Sequence, residues 1–237
     1  KILVETPSYL GALQAFSVYQ PEFVSVDTDE HGLIPSSVSA KGEGARLMYA
    51  LPNFQNPTGR TMSLERRIEL VEICARMGIP LIEDNPYGDL CYSGEPLPKL
   101  LNMNPNGVIY LGSFSKILTP GIRLGYMVAP VPLIRKLEQA KQATDLHTST
   151  LTQMAVYEVI KDGFLDEHIP SIRRFYSAQC DVMLAAMTKH FPEGVTWTRP
   201  LGGMFIWATL PKHIHSKDLL ADAIANNVAF VPGGPFY

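Results

Sequence analysis

Residues 47–84 read LMYALPNFQNPTGRTMSLERRIELVEICARMGIPLIED, and the order of three segments inside this stretch decides the fold. Residues 47–51 (Leu-Met-Tyr-Ala-Leu) form an apolar run with no polar alternation, as a strand buried on both faces requires. After a loop, Ser63 offers an N-cap hydroxyl, and Leu64, Ile68, Val71 and Ala75 recur on one helical face. Gly78 closes the helix. Residues 80–83 (Pro-Leu-Ile-Glu) then supply a second short apolar strand. Strand, helix and strand with short connections predict a parallel α/β sheet covered on both sides.

Reading outward, the same kind of run recurs at residues 23–26, 108–112 and 125–129, and the chain opens on the strand-like Lys1-Ile2-Leu3-Val4-Glu5. Past residue 130 the pattern changes. Helical periodicity covers residues 131–161 with a break near His147. It returns over 166–190 through Ile169, Ile172, Tyr176, Met183 and Met187, a span long enough to link two domains. Strands are then expected at 195–198, 204–208 and 228–231, with a turn at 200–203 and a helix at 216–226. The expectation is a three-layer, mostly parallel α/β sheet in residues 1–170, followed by part of a smaller α+β C-terminal domain in residues 171–237. Both ends fall on strand-like runs, which reads as an ordered piece of a longer polypeptide.

Bulk properties narrow the function classes. The 237 residues are 46% hydrophobic with a formal net charge of -3. No basic stripe invites nucleic acid. No apolar run approaches the roughly 18 residues a membrane helix needs. Cys74, Cys91 and Cys180 are scattered and odd in number, matching neither a disulfide framework nor a metal spacing; they suit a reducing, cytoplasmic setting. His213 and His215 have no acidic or cysteine companion and read as a solvated loop, so no metal site is expected.

Four local features lie just after the expected strands, where α/β sheets bind ligands. The first is Pro52-Asn53-Phe54-Gln55-Asn56-Pro57-Thr58-Gly59. On its own it is most simply a turn; functionally, Asn56 would offer an amide to a ligand. The second is Glu83-Asp84-Asn85-Pro86-Tyr87. Two acids at a strand end can cap a helix or face water, yet a buried Asp84 would need a cationic partner. The third is Ser113-Phe114-Ser115-Lys116. A lone lysine is usually a solvated charge, but this position after an apolar strand favours a partly buried amine. The fourth is Arg123 in Pro120-Gly121-Ile122-Arg123-Leu124-Gly125. It is either an ordinary salt-bridging arginine or a phosphate ligand alongside two serines. The serine-lysine tract also fits the S-x-x-K pattern of serine acylases, but no S-D-N or K-T-G follows.

Taken in order, Asn-Pro-Thr-Gly, Asp-x-x-Tyr, Ser-x-Ser-Lys and Arg resemble the fold type I pyridoxal-phosphate enzymes, specifically the class I/II aminotransferases. The resemblance runs from Glu5-Thr6-Pro7-Ser8-Tyr9 to Pro232-Gly233-Gly234. The tracts at 84–87, 112–116 and 146–150 resemble most the branch holding 2-aminoadipate, kynurenine and aromatic aminotransferases. The resemblance implies the cofactor pyridoxal 5'-phosphate, joined to Lys116 as a Schiff base, with Lys116 later shuttling the proton. It implies that Asp84 pairs with the pyridine nitrogen and that Asn56 and Tyr87 bond the ring's 3-oxygen. Ser113, Ser115 and Arg123 would hold the phosphate, and Tyr9 would stack on the ring. Asn56 and Phe205 would meet substrate, with Met204-Phe205 near its side chain. A homodimer is implied, with residues 146–149 approaching the partner's site. The family's small-residue phosphate loop would lie before Lys1, and its arginine for the substrate carboxylate beyond Tyr237. The implied reaction moves an amino group from an L-amino acid to a 2-oxo acid such as 2-oxoglutarate. The alternatives are a ligand-sensing aminotransferase-like domain of a transcription regulator, or another reaction of the same cofactor such as β-elimination.

Overall fold

The computed structural model describes residues 1–237. Chain order begins β1 (Ile2–Glu5), α1 (Leu10–Ser17), β2 (Phe23–Val26), β3 (Thr28–Asp29), β4 (Gly32–Leu33), α2 (Pro35–Lys41) and β5 (Leu47–Ala50). It continues through α3 (Leu64–Met77), β6 (Leu81–Asp84), α4 (Leu100–Met103), β7 (Val108–Ser113) and β8 (Gly125–Val128). Three helices follow, α5 (Val131–Asp145), α6 (Thr150–Ile160) and α7 (Phe164–His190). The chain then forms β9 (Thr196–Trp197), β10 (Ala208–Thr209) and α8 (Ser216–Ala225).

Six strands form the central sheet in the order β2-β1-β5-β6-β7-β8. Every pairing is parallel except β7 with β8. Alternate residues serve opposite faces. Leu3, Met48 and Leu81 point into a core shared with Val38 of α2, Leu70 and Ile73 of α3, and Leu100 of α4. Val4 and Tyr49 point the other way, against Ala12, Leu13 and Phe16 of α1. Helices therefore cover both faces, as the buried runs foretold. Within the deciding stretch, the Ser63 hydroxyl accepts from the Arg66 N–H at 3.4 Å, and Gly78 closes α3 at φ 67°, in the left-handed region.

Four expectations need correction. The face read on α3 is turned: Leu64, Ile68 and Ala75 are exposed, and Leu70, Ile73 and Cys74 join Val71 in the core, because burial follows what the helix covers. The run at 125–129 does not join the sheet as a buried parallel strand. It is β8, which pairs antiparallel with β7, and its four residues are exposed. The expected strands at 195–198 and 204–208 shrink to β9 and β10, a pair of two-residue strands. Residues 228–231 form no strand; Val228 and Val231 are exposed and find no pairing partner. The long helix is as expected, and the 170/171 boundary falls within α7. The side chains of Ile172 and Tyr176 in α7 touch a small cluster of Phe54, Tyr87 and Leu90.

Candidate active site

Parallel strands deliver their carboxyl ends to one edge, so the loops following β5, β6 and β7 lie side by side. The loop after β5 is no solvated turn. Asn53, Gln55, Asn56 and Thr58 are all buried. Gln55 donates through Nε2 to the Pro7 carbonyl at 2.7 Å, and its Oε1 accepts from the Thr58 N–H and hydroxyl. Asn53 donates to Asn85 Oδ1 at 2.9 Å, and Asn85 donates to the Tyr110 hydroxyl at 3.1 Å. Arg67, fully buried on α3, donates to Asn53 Oδ1 at 2.6 Å and to the Pro52 carbonyl at 2.9 Å. A satisfied buried network of this kind fixes the backbone on which Asn56 stands.

Tyr87 is the hub. Its side chain is buried, and the Phe205 ring meets it edge-on at 5.3 Å. Lys116 Nζ stands 5.8 Å from the ring centroid. Burial pushes the Tyr87 hydroxyl up to about 12; the Asn56 amide opposes this, while Tyr9 and Asp84 are near enough to add to it. Tyr87 thus has Tyr9, Asn56, Asp84, Lys116 and Phe205 around it. Lys116 is half-buried and pairs with no carboxylate.

Asp84 closes β6. Burial raises its carboxyl above the usual range, and the Tyr49 hydroxyl, donating to Oδ2 at 2.5 Å, opposes that only in part. A carboxylate held in such a place favours a cation as its second partner. Beside it, Glu83 is fully buried. Its Oε2 accepts from the Leu101 N–H at 2.9 Å and its Oε1 has no partner. Alternation along β6 therefore turns Glu83 toward the α4 side and Asp84 toward the Tyr49 side.

At the end of β7, the Ser113 hydroxyl accepts from the Ser115 N–H at 3.1 Å. The Ser113–Gly125 pairing of β7 with β8 brings the segment carrying Arg123 alongside. Arg123 sits at φ 52° and is exposed, and its guanidinium reaches the Pro120 carbonyl at 3.4 Å but neither serine. Met204 is exposed, whereas Phe205 turns inward to Tyr87. Residues 146–149 stand apart from this cluster, with Leu146 exposed.

Sequence reading passed over Tyr49, Asn53, Gln55, Asn85 and Arg67. Tyr49 lies inside an apolar run and looks like core; only the strand register turns it toward Asp84. The buried network around Arg67 gave one signal, an arginine at a helix position otherwise facing the sheet.

The family described as aminotransferase class I and II matches residues 1–237. A curated relative, aromatic-amino-acid aminotransferase 1 of Thermococcus litoralis, is 46% identical over 100% of this chain and 58% of its own length. The kynurenine aminotransferase of Pyrococcus horikoshii superposes with a TM-score of 0.94 at 45% identity, over 100% of this chain and 60% of that one. The α-aminoadipate aminotransferase of Thermus thermophilus, solved with N-(5'-phosphopyridoxyl)-L-leucine, gives 0.96 at 42%, over 100% and 62%. The chain spans about 60% of the length of such relatives.

Proposed function

The chain belongs to the class I and II aminotransferases, and on that premise we propose that Lys116 is the cofactor-bearing lysine of a transaminase. Pyridoxal 5'-phosphate is the cofactor of this family, and the residues present fit it. A part-buried carboxylate short of a cation, a half-buried amine without a counter-ion and a serine pair beside an arginine match its ring nitrogen, carbonyl and phosphate. The observation that carries the reading is the convergence of Tyr9, Asn56, Asp84, Lys116 and Phe205 on Tyr87.

When bound, the cofactor supplies an electron sink for charge developing at the substrate's α-carbon. The chain's own residues do the rest. Lys116 takes the α-proton and returns it, an amine positioned as general base and acid. Asp84 holds the ring nitrogen's positive charge, and Asn56 and Tyr87 bond the ring oxygen and fix its tilt. Tyr9 covers the ring face and excludes water. Ser113, Ser115 and Arg123 anchor the phosphate, and Asn56 and Phe205 border the substrate. The donor is an L-amino acid of the 2-aminoadipate or aromatic type, and the acceptor a 2-oxo acid such as 2-oxoglutarate. Their support is the similarity to relatives carrying those names. The sensor-domain reading is not favoured, since relatives named HTH-type transcriptional regulators match at 34% and 33% identity against 46% for the aromatic-amino-acid aminotransferase, and none of these names supports β-elimination.

In this proposal residues 1–170 form the cofactor-binding domain and residues 171–237 part of a smaller one, with α7 running between them. The working unit is a homodimer in the cytoplasm. Exposed Leu146, Leu151, Met154 and Tyr157 offer an apolar face, and the three cysteines are unpaired. No helix is long and apolar enough to cross a membrane. Borohydride treatment of the cofactor-loaded full-length protein, followed by peptide mapping, should place the label on Lys116. A label on another lysine overturns the assignment. Mixing the loaded protein with each amino acid and following the cofactor's visible band will identify the donor. Sedimentation at micromolar concentration should give a dimer, and a fully active monomer would refute the shared assembly.

A further inference from the structure

We propose that Tyr49, inside strand β5 and outside every motif of the site, is a positioning residue for Asp84 that keeps the proton on the cofactor's ring nitrogen. The inference rests on the assignment of Asp84 to that nitrogen.

The geometry comes from the sheet. In the parallel β5–β6 pairing Tyr49 stands opposite Ile82, and Asp84 lies two residues further along the same face. Diagonal neighbours across a ladder are within reach only of a long side chain, and the phenol closes the gap, donating to Asp84 Oδ2 at 2.5 Å. That length is at the short end of the range for a hydroxyl on a carboxylate. The Tyr49 ring is 1% exposed and is braced edge-on by Phe16 of α1 at 5.6 Å between centroids.

Chemistry gives the bond a direction. A hydroxyl has one proton to give, and here it is given to Oδ2, leaving Oδ1 to face a second partner. Burial and the Asp84 charge hold the phenol far above its ordinary titration range, so it stays a donor; Glu5 and Tyr9 are the other ionisable groups that act on it, in the same sense. A donor to the charged form makes a carboxylate a weaker base. The proton shared between Asp84 and a ring nitrogen is thereby biased to the nitrogen, where an electron sink needs it. Without Tyr49 the carboxylate would compete for that proton. Tyr87, the other titratable group near Asp84, is turned toward Asn56 and makes no bond to it.

The test uses full-length protein loaded with cofactor carrying an isotope-labelled ring nitrogen, read by NMR across pH. Tyr49→Phe should move part of the shared proton onto Asp84, so that the ring-nitrogen shift on the plateau below the pH midpoint turns toward its unprotonated value. It should also cut kcat roughly tenfold with KM little changed. Incorporating a fluorinated tyrosine at position 49, a stronger donor of nearly the same shape, should move the plateau shift the other way, toward the protonated value. A residue that only fills space would give no such opposed pair, and unchanged plateau shifts in both proteins overturn the proposal. If Tyr49→Phe fails to fold, the fluorinated protein alone decides. Asp84→Ala separates the two levels of inference. If it leaves the nitrogen signal unmoved, the assignment of Asp84 falls; if it moves the signal and the Tyr49 changes do not, only the role of Tyr49 falls.

Discussion

Arg123 is where a single side chain decides an assignment. A phosphate dianion is gripped best by a guanidinium, which can bond two oxygens at once. Of the matched positions near β7, Ser113 and Ser115 bring only hydroxyls, and Arg123 brings the permanent charge. Here the side chain is exposed and its one bond, to the Pro120 carbonyl, is a weak 3.4 Å. Loss of the charged, bidentate contact to phosphate should cost about 2–4 kcal/mol, or roughly 30- to 1000-fold in affinity. The covalent link at Lys116 would hide part of that loss. The pyridoxamine form has no such link and reads it directly. Arg123→Leu should shed pyridoxamine phosphate during turnover, so that activity decays unless free cofactor is supplied, and Arg123→Lys should fall between the two. Retention through repeated dialysis as tight as in the wild type would make Arg123 an ordinary structural arginine.

At the scale of elements, the sheet's centre is held by signals a sequence displays openly. Ser63 caps α3, and Gly78 ends it at φ 67°, where an added Cβ would meet nothing within 4 Å. Gly78→Ala therefore isolates backbone cost from packing cost. It should destabilise by about 1 kcal/mol, and Ser63→Ala by a similar ~1 kcal/mol, each measured by urea unfolding. A stability unchanged by Gly78→Ala would mean that the helix end relaxes. These local signals made β5, α3 and β6 legible, along with the loops that follow the strands. Other elements lacked them. α1 contains Gly11 and has no side-chain cap, and α2 is seven residues of mostly small side chains. Both are held by what they cover, Tyr49 under Phe16 and the main core around Val38, which no local window reveals. The β3–β4 hairpin, two residues a side, is too short to show a period. Conversely, residues 228–231 have strand-like composition and form no strand, because composition alone does not set pairing. The site followed the same division. Lys116, Asp84, Asn56 and Arg123 could be proposed from sequence because their motifs sit at strand ends. Tyr49 could not, because its contact depends on the register of β5 against β6.

For the molecule as a whole, the balance of buried charge sets how stability responds to pH, and Glu5 dominates one part of it. Glu5 ends β1 between β2 and β5 and is 3% exposed. Its Oε2 accepts from the Leu51 N–H at 2.8 Å, and it has no cationic partner. Burial pushes the carboxyl from 4.5 up to about 8, the backbone bond opposing that only weakly. The folded chain therefore holds a proton that the unfolded chain releases near pH 4.5. Stability must fall wherever the folded state binds more protons than the unfolded one, at no more than about 1.4 kcal/mol per pH unit for one site. The contribution of the protonated Glu5 is accordingly complete below the unfolded value and is lost as pH rises toward about 8. Above that, the folded protein carries an unpaired buried carboxylate and the loss levels off. Other groups titrate alike in a variant that changes only this side chain, so a difference measurement isolates it. Glu5→Gln keeps an oxygen for the Leu51 N–H and cannot ionise. It should be slightly less stable than the wild type near pH 5, because its amide adds a donor to a buried place. The curves should cross on the way to pH 9, with the variant ahead by a few kcal/mol. Urea unfolding of the full-length apoprotein at three or more pH values within that window provides the check. Parallel curves would mean that Glu5 finds water or a cation, and that the end of β1 is wetter than its burial implies.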